Sequence, residues 1–114
     1  FPHTLDLKTA GARLFVDAAR ILSLANGVAD TGTAQRLRTL AERGKLGSDD
    51  VHAVVESFFF IQNLRLRNQQ DAVSEGAANR VDPDKLNELD RLVLREAFKQ
   101  AKRLQSRLQM EYRL

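Results

Sequence analysis

The chain is 114 residues long, 43% of them apolar, with 18 basic residues against 15 acidic ones and a net charge of +3. That length sets one domain around a single core, and that apolar fraction excludes wholesale disorder. The absence of cysteine excludes disulfides, a thiolate metal site and a cysteine nucleophile together, and it fits a reducing, cytoplasmic setting.

The first residue is Phe1, and Met110 is the one methionine. We therefore expect residues 1–114 to be a single helical domain, the C-terminal piece of a longer multidomain protein. No apolar run approaches the ~20 residues of a membrane span, and no signal peptide is visible. The charge surplus is small and the aromatics are mostly phenylalanine, so nucleic acid is not an expected partner.

Phe1 to Ala10 is a leading segment in which Pro2 blocks an early helix start. Leu5 and Leu7 are expected to tuck onto the core, with Asp6 and Lys8 outward. Gly11 to Asn26 reads as the first helix, with Leu14, Ala18, Ile21, Leu22 and Ala25 on one face. Gly27 is a natural stop, because it tolerates a left-handed conformation. Arg13, Asp17 and Arg20 follow one flank at i, i+4 and i+7. That spacing fits a surface ion-pair ladder. It also fits an arginine steadied by an aspartate so that it can meet an anion.

Thr31 to Gly44 holds a short second helix, capped by Thr31 or Thr33. Leu37 and Leu40 face inward with Ala41 beside them, and Gly44 ends the run. Arg36, Arg38 and Arg43 are expected in solvent.

Asp49 to Val73 is the longest helical stretch. Ser48 is its expected cap, and Asp49 and Asp50 occupy a first turn where the helix dipole favours negative charge. Val51, Val54, Val55, Phe58 and Ile61 fall on one narrow face. Gln62, Arg65 and Gln69 then continue that line where apolar residues would be expected. Burying a cation and two amides without partners is costly. Either other helices or a ligand must supply those partners, and the residues alone leave the choice open. Phe58, Phe59 and Phe60 are consecutive and cannot share one direction, so some aromatic area must meet another surface.

Ser74 to Asn79 reads as a loop around Gly76. Asp82-Pro83 is a start signal, with Asp as cap and Pro at the first helical position. Asn87 begins a fresh start, with Asp90 three residues on in the manner of a capping box. From Glu88 to Tyr112 the pattern is amphipathic. Leu94, Ala97, Ala101, Leu104 and Leu108 form the seam of a bundle or coiled coil. Arg91, Arg95, Lys99, Lys102 and Arg113 are expected on the solvated side. No stretch alternates with period two between turn signals, so no strand is expected. The sum is an all-α fold, an up-and-down bundle of about four main helices.

The usual marks of an enzyme are missing. There is no glycine-rich phosphate loop and no nucleophile elbow. His3 and His52 have no partner at metal-ligand spacing. No catalytic residue and no metal ligand is assigned, and the fragment is not expected to be catalytic by itself.

Six phrases then carry a resemblance. They are LDLKTAG from Leu5 to Gly11, VDAARILSLANG from Val16 to Gly27, and TAQRLRTL from Thr33 to Leu40. They continue with FFFIQNLRLRNQ from Phe58 to Gln69, NRVDPDKLNELDRLVLREAF from Asn79 to Phe98, and RLQ from Arg103 to Gln105. In order and spacing the set resembles the nucleotidyltransferase substrate-binding domain family, over almost the whole chain. LRLRNQ followed by N-x-x-D-P is the most specific part.

The resemblance implies a helical domain that follows a nucleotidyltransferase domain. In such proteins cystathionine-β-synthase-type (CBS) regulatory domains are frequent, and a cyclic-nucleotide-binding domain sometimes lies upstream. The implied setting is bacterial signal transduction. The N-terminal partner would be similar to the uridylyltransferase of PII signalling proteins and to aminoglycoside nucleotidyltransferases. It would carry the metal-binding carboxylates, nucleoside triphosphate and Mg. The helical domain would close one side of the cleft and help hold the acceptor.

Lys8, Asp17, Arg20, Arg65, Gln69, Asn79 and Asp82 stand at positions that match the family's pattern, and they are the candidate substrate-binding residues. On that reading Arg20 and Arg65 suit a phosphate or carboxylate, because guanidinium offers a bidentate fork. Asp17 would orient Arg20, and Gln69 would orient the acceptor. The other reading of Arg65 is a buried pair with Asp17 or Asp82 that fixes helix register. Asn68 departs from the family, which often has histidine there, and this puts a role for that position in doubt. Asp90 stands where Glu is usual. A different class of function is a helical dimerisation or protein-interaction module, motivated by the Leu94 to Leu108 seam and the phenylalanine run, with a homodimer as one form.

Overall fold

The structure, a computed structural model, describes residues 4–71 and 79–112, the last three of the first stretch by backbone alone. The expected loop around Gly76, the reach of the long helix to Val73, Pro2, Arg113 and the side chain of Gln69 lie outside the described residues.

The chain begins with a short strand, β1 (Leu5–Asp6), and a π-helical turn (Lys8–Ala12). Three helices follow: α1 (Arg13–Ala25), α2 (Thr33–Glu42) and α3 (Ser48–Asp71). A second short strand, β2 (Arg80–Val81), a 3-10 turn (Pro83–Lys85) and α4 (Glu88–Tyr112) complete the described fold. Each helix packs on its sequence neighbours, and α1 closes the ring on α4. The expected all-α bundle of four main helices is what forms. At about 1.5 Å per residue, α3 and α4 each run roughly 36 Å, so they set the long dimension of a 40 × 26 × 24 Å molecule. No helix among the described residues is long and apolar enough to cross a membrane.

The two long helices run antiparallel. Arg67, near the end of α3, lies 3.8 Å from Asp90 at the start of α4. At the other end Val51 and Val54 of α3 share a cleft with Leu104 of α4. Between them the apolar stripe of α3 is buried as the periodicity requires: Val51, Val54, Val55, Phe58 and Ile61, joined by Leu64. Leu94, Ala97, Ala101, Leu104 and Leu108 of α4 are buried too. The seam read from the sequence is therefore used up inside this molecule. Phe15 of α1 meets Phe58 edge to face, with ring centroids 6.0 Å apart, a geometry that places ring edge against ring face.

Helix ends follow their local chemistry, with two departures. Gly27 and Gly44 take positive φ (68° and 71°) and stop α1 and α2 as expected. After α2, the amide of Lys45 returns to Leu40 O and that of Gly44 to Ala41 O, the double closure of a Schellman motif. Asn87 Oδ1 accepts the amide of Asp90 at 2.7 Å and caps α4. Asp82 caps the 3-10 turn by accepting the amide of Asp84. Neither Thr31 nor Thr33 caps α2: the residue before that helix is Gly32, with no side-chain cap. Ser48 is already inside α3 rather than ahead of it.

Burial on α1 also differs from expectation. Phe15 and Ala19 are buried, whereas Ala25 is exposed. The added contacts come from two packed neighbours, α2 and α4, which bury a wider stripe than one face. Three arginines expected in solvent hold loops instead. Arg36 donates to Asp30 O, Arg43 to Asn26 O and Gly27 O, and Arg91 to Pro83 O and Leu86 O.

The leading segment departs most. Leu5 pairs with Val81 and Asp6 with Arg80, antiparallel, and the amide of Leu7 adds a bond to Asn79 O at 2.7 Å. A two-residue strand is too short to leave a period-two signal, which is why none was visible. Leu7 is fully buried, while Leu5 is 38% exposed. The π turn then wedges Gly11 against both long helices. A Cβ placed there would lie 2.8 Å from Ile61 Cδ1 and 3.2 Å from Phe98 Cε1.

Gly11→Ala should therefore destabilise the fold. Overpacking costs about 1–3 kcal/mol, more than the ~1 kcal/mol alanine gains over glycine in a helical backbone. Ile61→Val removes the nearer obstructing atom, so the cost of Gly11→Ala measured by urea unfolding should shrink in that background.

Candidate functional site

The second half of α3 changes from apolar to polar on its inward line, and the structure shows what those groups meet. Arg65 is half-buried. Its Nε donates to Asn79 Oδ1 at 2.9 Å and its Nη1 to Gln62 Oε1 at 2.7 Å. Helical spacing sets the Gln62 contact, since i and i+3 lie on one face. The contact with Asn79 depends on where the chain goes after α3. Asn79 is positioned in turn by its carbonyl, which accepts the amide of Leu7. One residue on, Asn68 Nδ2 donates to Arg80 O at 3.0 Å. Four stretches thus converge: α3, β1, β2 and, through Arg67 and Asp90, the start of α4.

Charge is arranged unevenly in this cluster. Arg80 Nη2 lies 3.8 Å from Asp6 Oδ2. Arg65, by contrast, has two neutral amide oxygens, and among the described residues no carboxylate oxygen lies within 4.0 Å of it. Its hydrogen bonds are made while, among the described residues, its charge has no counter-charge. The expected pair with Asp17 or Asp82 does not form. Asp82 is committed to capping the turn that follows β2.

The seven candidate residues divide by place. Arg65 and Asn79 touch. Lys8 follows Leu7, whose amide is bonded to Asn79, and is half-buried. Asp82 follows β2. These four belong to one end of the molecule, and the backbone of Gln69 in α3 belongs there as well. Asp17 and Arg20 lie exposed on α1 and make no hydrogen bond or ion pair among the described residues. Neither the ladder with Arg13 nor the steadying of Arg20 by Asp17 is formed. Exposed side chains four and three residues apart on a helix gain too little from pairing to hold one geometry.

Asp6, Asn68 and Arg80 belong to the cluster and are not among the seven candidates. Asp6 had a local signal: a short carboxylate just ahead of a helical turn readily accepts backbone amides. It takes the amides of Lys8 and Thr9 at 3.0 and 2.9 Å. Asn68 and Arg80 had none, because their bond joins residues twelve apart in the chain.

The Thr9 amide above all holds the Asp6 carboxyl below its ordinary value of 3.8; the Thr9 side chain, the Lys8 amide and the charge of Arg80 act the same way, and burial opposes them. A carboxyl whose folded pKa is lowered stabilises the fold above its unfolded pKa, and that stability is lost as pH falls through the folded value. Asp6→Ala should cost about 1 kcal/mol near neutral pH, the usual worth of such a cap. Urea midpoints of the two proteins should draw together as the pH is lowered below the ordinary carboxylate range.

Two comparisons draw a blank: no curated protein and no solved structure matches the chain. A third finds a match over residues 1–112, to the family described as "Putative nucleotidyltransferase substrate binding domain". That match spans both long helices, the Arg65 cluster and the strand pair that holds it. The chain belongs to this nucleotidyltransferase substrate-binding domain family.

Proposed function

We propose that the chain is the non-catalytic accessory domain of a signal-transduction nucleotidyltransferase and helps hold the acceptor beside an N-terminal catalytic domain. The nucleoside triphosphate and Mg would be bound by that catalytic domain, in a bacterial cytoplasm, with CBS-type domains as regulators. Family membership supports the substrate-binding role. The observation that carries it to particular residues is the half-buried Arg65 guanidinium, met by neutral amides alone among the described residues.

A cation held this way keeps its field, and its fork suits an oxyanion. Gln62 and Asn79 fix the direction of the planar group. Lys8 adds a second positive charge on the neighbouring turn. A phosphate or carboxylate on the acceptor would complete the charge balance. Asp17 and Arg20 would take part only from their exposed place on α1, as a rim.

Arg65→Met in the full-length protein tests this. Loss of a charge-assisted bidentate contact should lower kcat/KM for nucleotidyl transfer by about tenfold or more, with helix content and melting retained. Arg65→Lys keeps the charge and loses the fork, so it should fall between the two. Undiminished transfer by a folded Arg65→Met protein would remove Arg65 from the acceptor site.

The interaction-module reading has its own observation. Leu89, Leu92 and Val93, at i, i+3 and i+4 on the first turns of α4, are 70%, 54% and 36% exposed. Among the three phenylalanines, Phe58 is buried, Phe60 packs partly on the core, and Phe59 is 45% exposed. Sedimentation at high protein concentration should show a dimer that Leu89→Glu with Leu92→Glu dissociates. A monomer throughout would leave the accessory-domain reading standing alone.

A further inference from the structure

A cleft of about 230 Å³ opens at the other end of α3, between that helix, α2 and α4. Val54, on its wall, is eleven residues from Arg65, about 16 Å along the helix. The cleft is thus separate from the polar cluster. Its floor is apolar: Leu37, Val51, Val54 and Leu104, all core residues. At liquid density the volume corresponds to roughly eight waters, the size of a small organic molecule rather than of a single solvent site.

The mouth carries two opposite charges, Asp50 on α3 and Arg103 on α4. They do not neutralise each other: no ion pair within 4.0 Å joins them, and neither has another charged partner among the described residues. Arg107 also lines the cleft, but its guanidinium is already engaged by Glu111 at 2.8 Å and by Lys45 O at 3.2 Å. One cation and one anion are therefore left facing an apolar floor.

We propose that this cleft is a second ligand site and takes a free α-amino acid with an apolar side chain. The side chain fills the floor, where contact with aliphatic carbons replaces water. The carboxylate takes the fork of Arg103, and the ammonium takes Asp50. Other charge types fit less well. A simple anion would meet Asp50, a simple cation would meet Arg103, and a neutral apolar molecule would satisfy neither group.

An amide-resolved NMR titration of the 114-residue chain with L-leucine tests the proposal. Leucine should shift the amides of Leu37, Val54 and Leu104 and leave that of Arg65 unmoved. N-acetyl-leucine lacks the ammonium and leucinamide lacks the carboxylate, so each should bind about tenfold more weakly or worse. Arg103→Gln and Asp50→Asn should each weaken leucine by a similar factor. Gln100→Trp, a half-buried position on the rim, should plug the mouth and abolish the shifts with melting unchanged. Absence of shifts at millimolar leucine overturns the proposal, and so does binding of N-acetyl-leucine as tight as that of leucine. None of these outcomes touches Arg65, so the acceptor site stands or falls separately.

Discussion

Two hydrogen bonds meet on Asn79, one accepted by its side chain from Arg65 and one accepted by its carbonyl from Leu7. Through this residue a charge on the second half of a long helix is coupled to the path of the first described residues of the fold. A half-buried guanidinium needs acceptors fixed in the plane of its fork, and flexible groups would lose entropy in supplying them. Asn79 is suited to this because β2 and the Leu7 amide already hold its backbone. The leading segment is thereby directed back between α3 and α4, where Gly11 leaves just enough room for Ile61 and Phe98. Loosening the Asn79 junction would release both the direction of Arg65 and the wedge that closes the bundle.

The same helix has two different ends. Its first half is a core stripe with two acids in the opening turn, and its second half is a polar line where, among the described residues, no carboxylate pairs with Arg65. A domain that must both fold by itself and present a fixed cation can divide the work along one rigid rod. The apolar half supplies packing, and the polar half is kept in place by it. Helices position groups more tightly than loops do, which suits the acceptor-holding role we propose. The cleft between α2, α3 and α4 sits at the packing end, where Asp50 and Arg103 both line an apolar floor.

Family membership and geometry bear on different links of the reasoning. The family match covers nearly the whole chain and speaks to substrate binding as a class. The geometry speaks to which charges lack a partner. They overlap at Arg65 and Asn79, two candidates from the resemblance that touch each other. They part at Asp17 and Arg20, candidates from the resemblance that stand on an exposed face of α1. Neither side chain makes an ion pair among the described residues, so no such pair fixes their place in the fold.

Periodicity and end signals alone determined the four helices, the stops at Gly27 and Gly44, the Asn87 cap of α4 and the core stripes of α3 and α4. These are local properties: a buried face repeats every three or four residues, and a stop needs a residue that tolerates positive φ, as Gly27 and Gly44 do. They also showed that Gln62 and Arg65 must find partners. Which partners they find was decided by tertiary structure. Asn79 reaches Arg65 from fourteen residues away, Asn68 reaches Arg80 from twelve, and β1 pairs with β2 over more than seventy positions. No pattern within a window of neighbouring residues encodes such meetings. They follow from where the packed helices leave the connecting chain, and that in turn from how much apolar surface each pair of helices must hide from water.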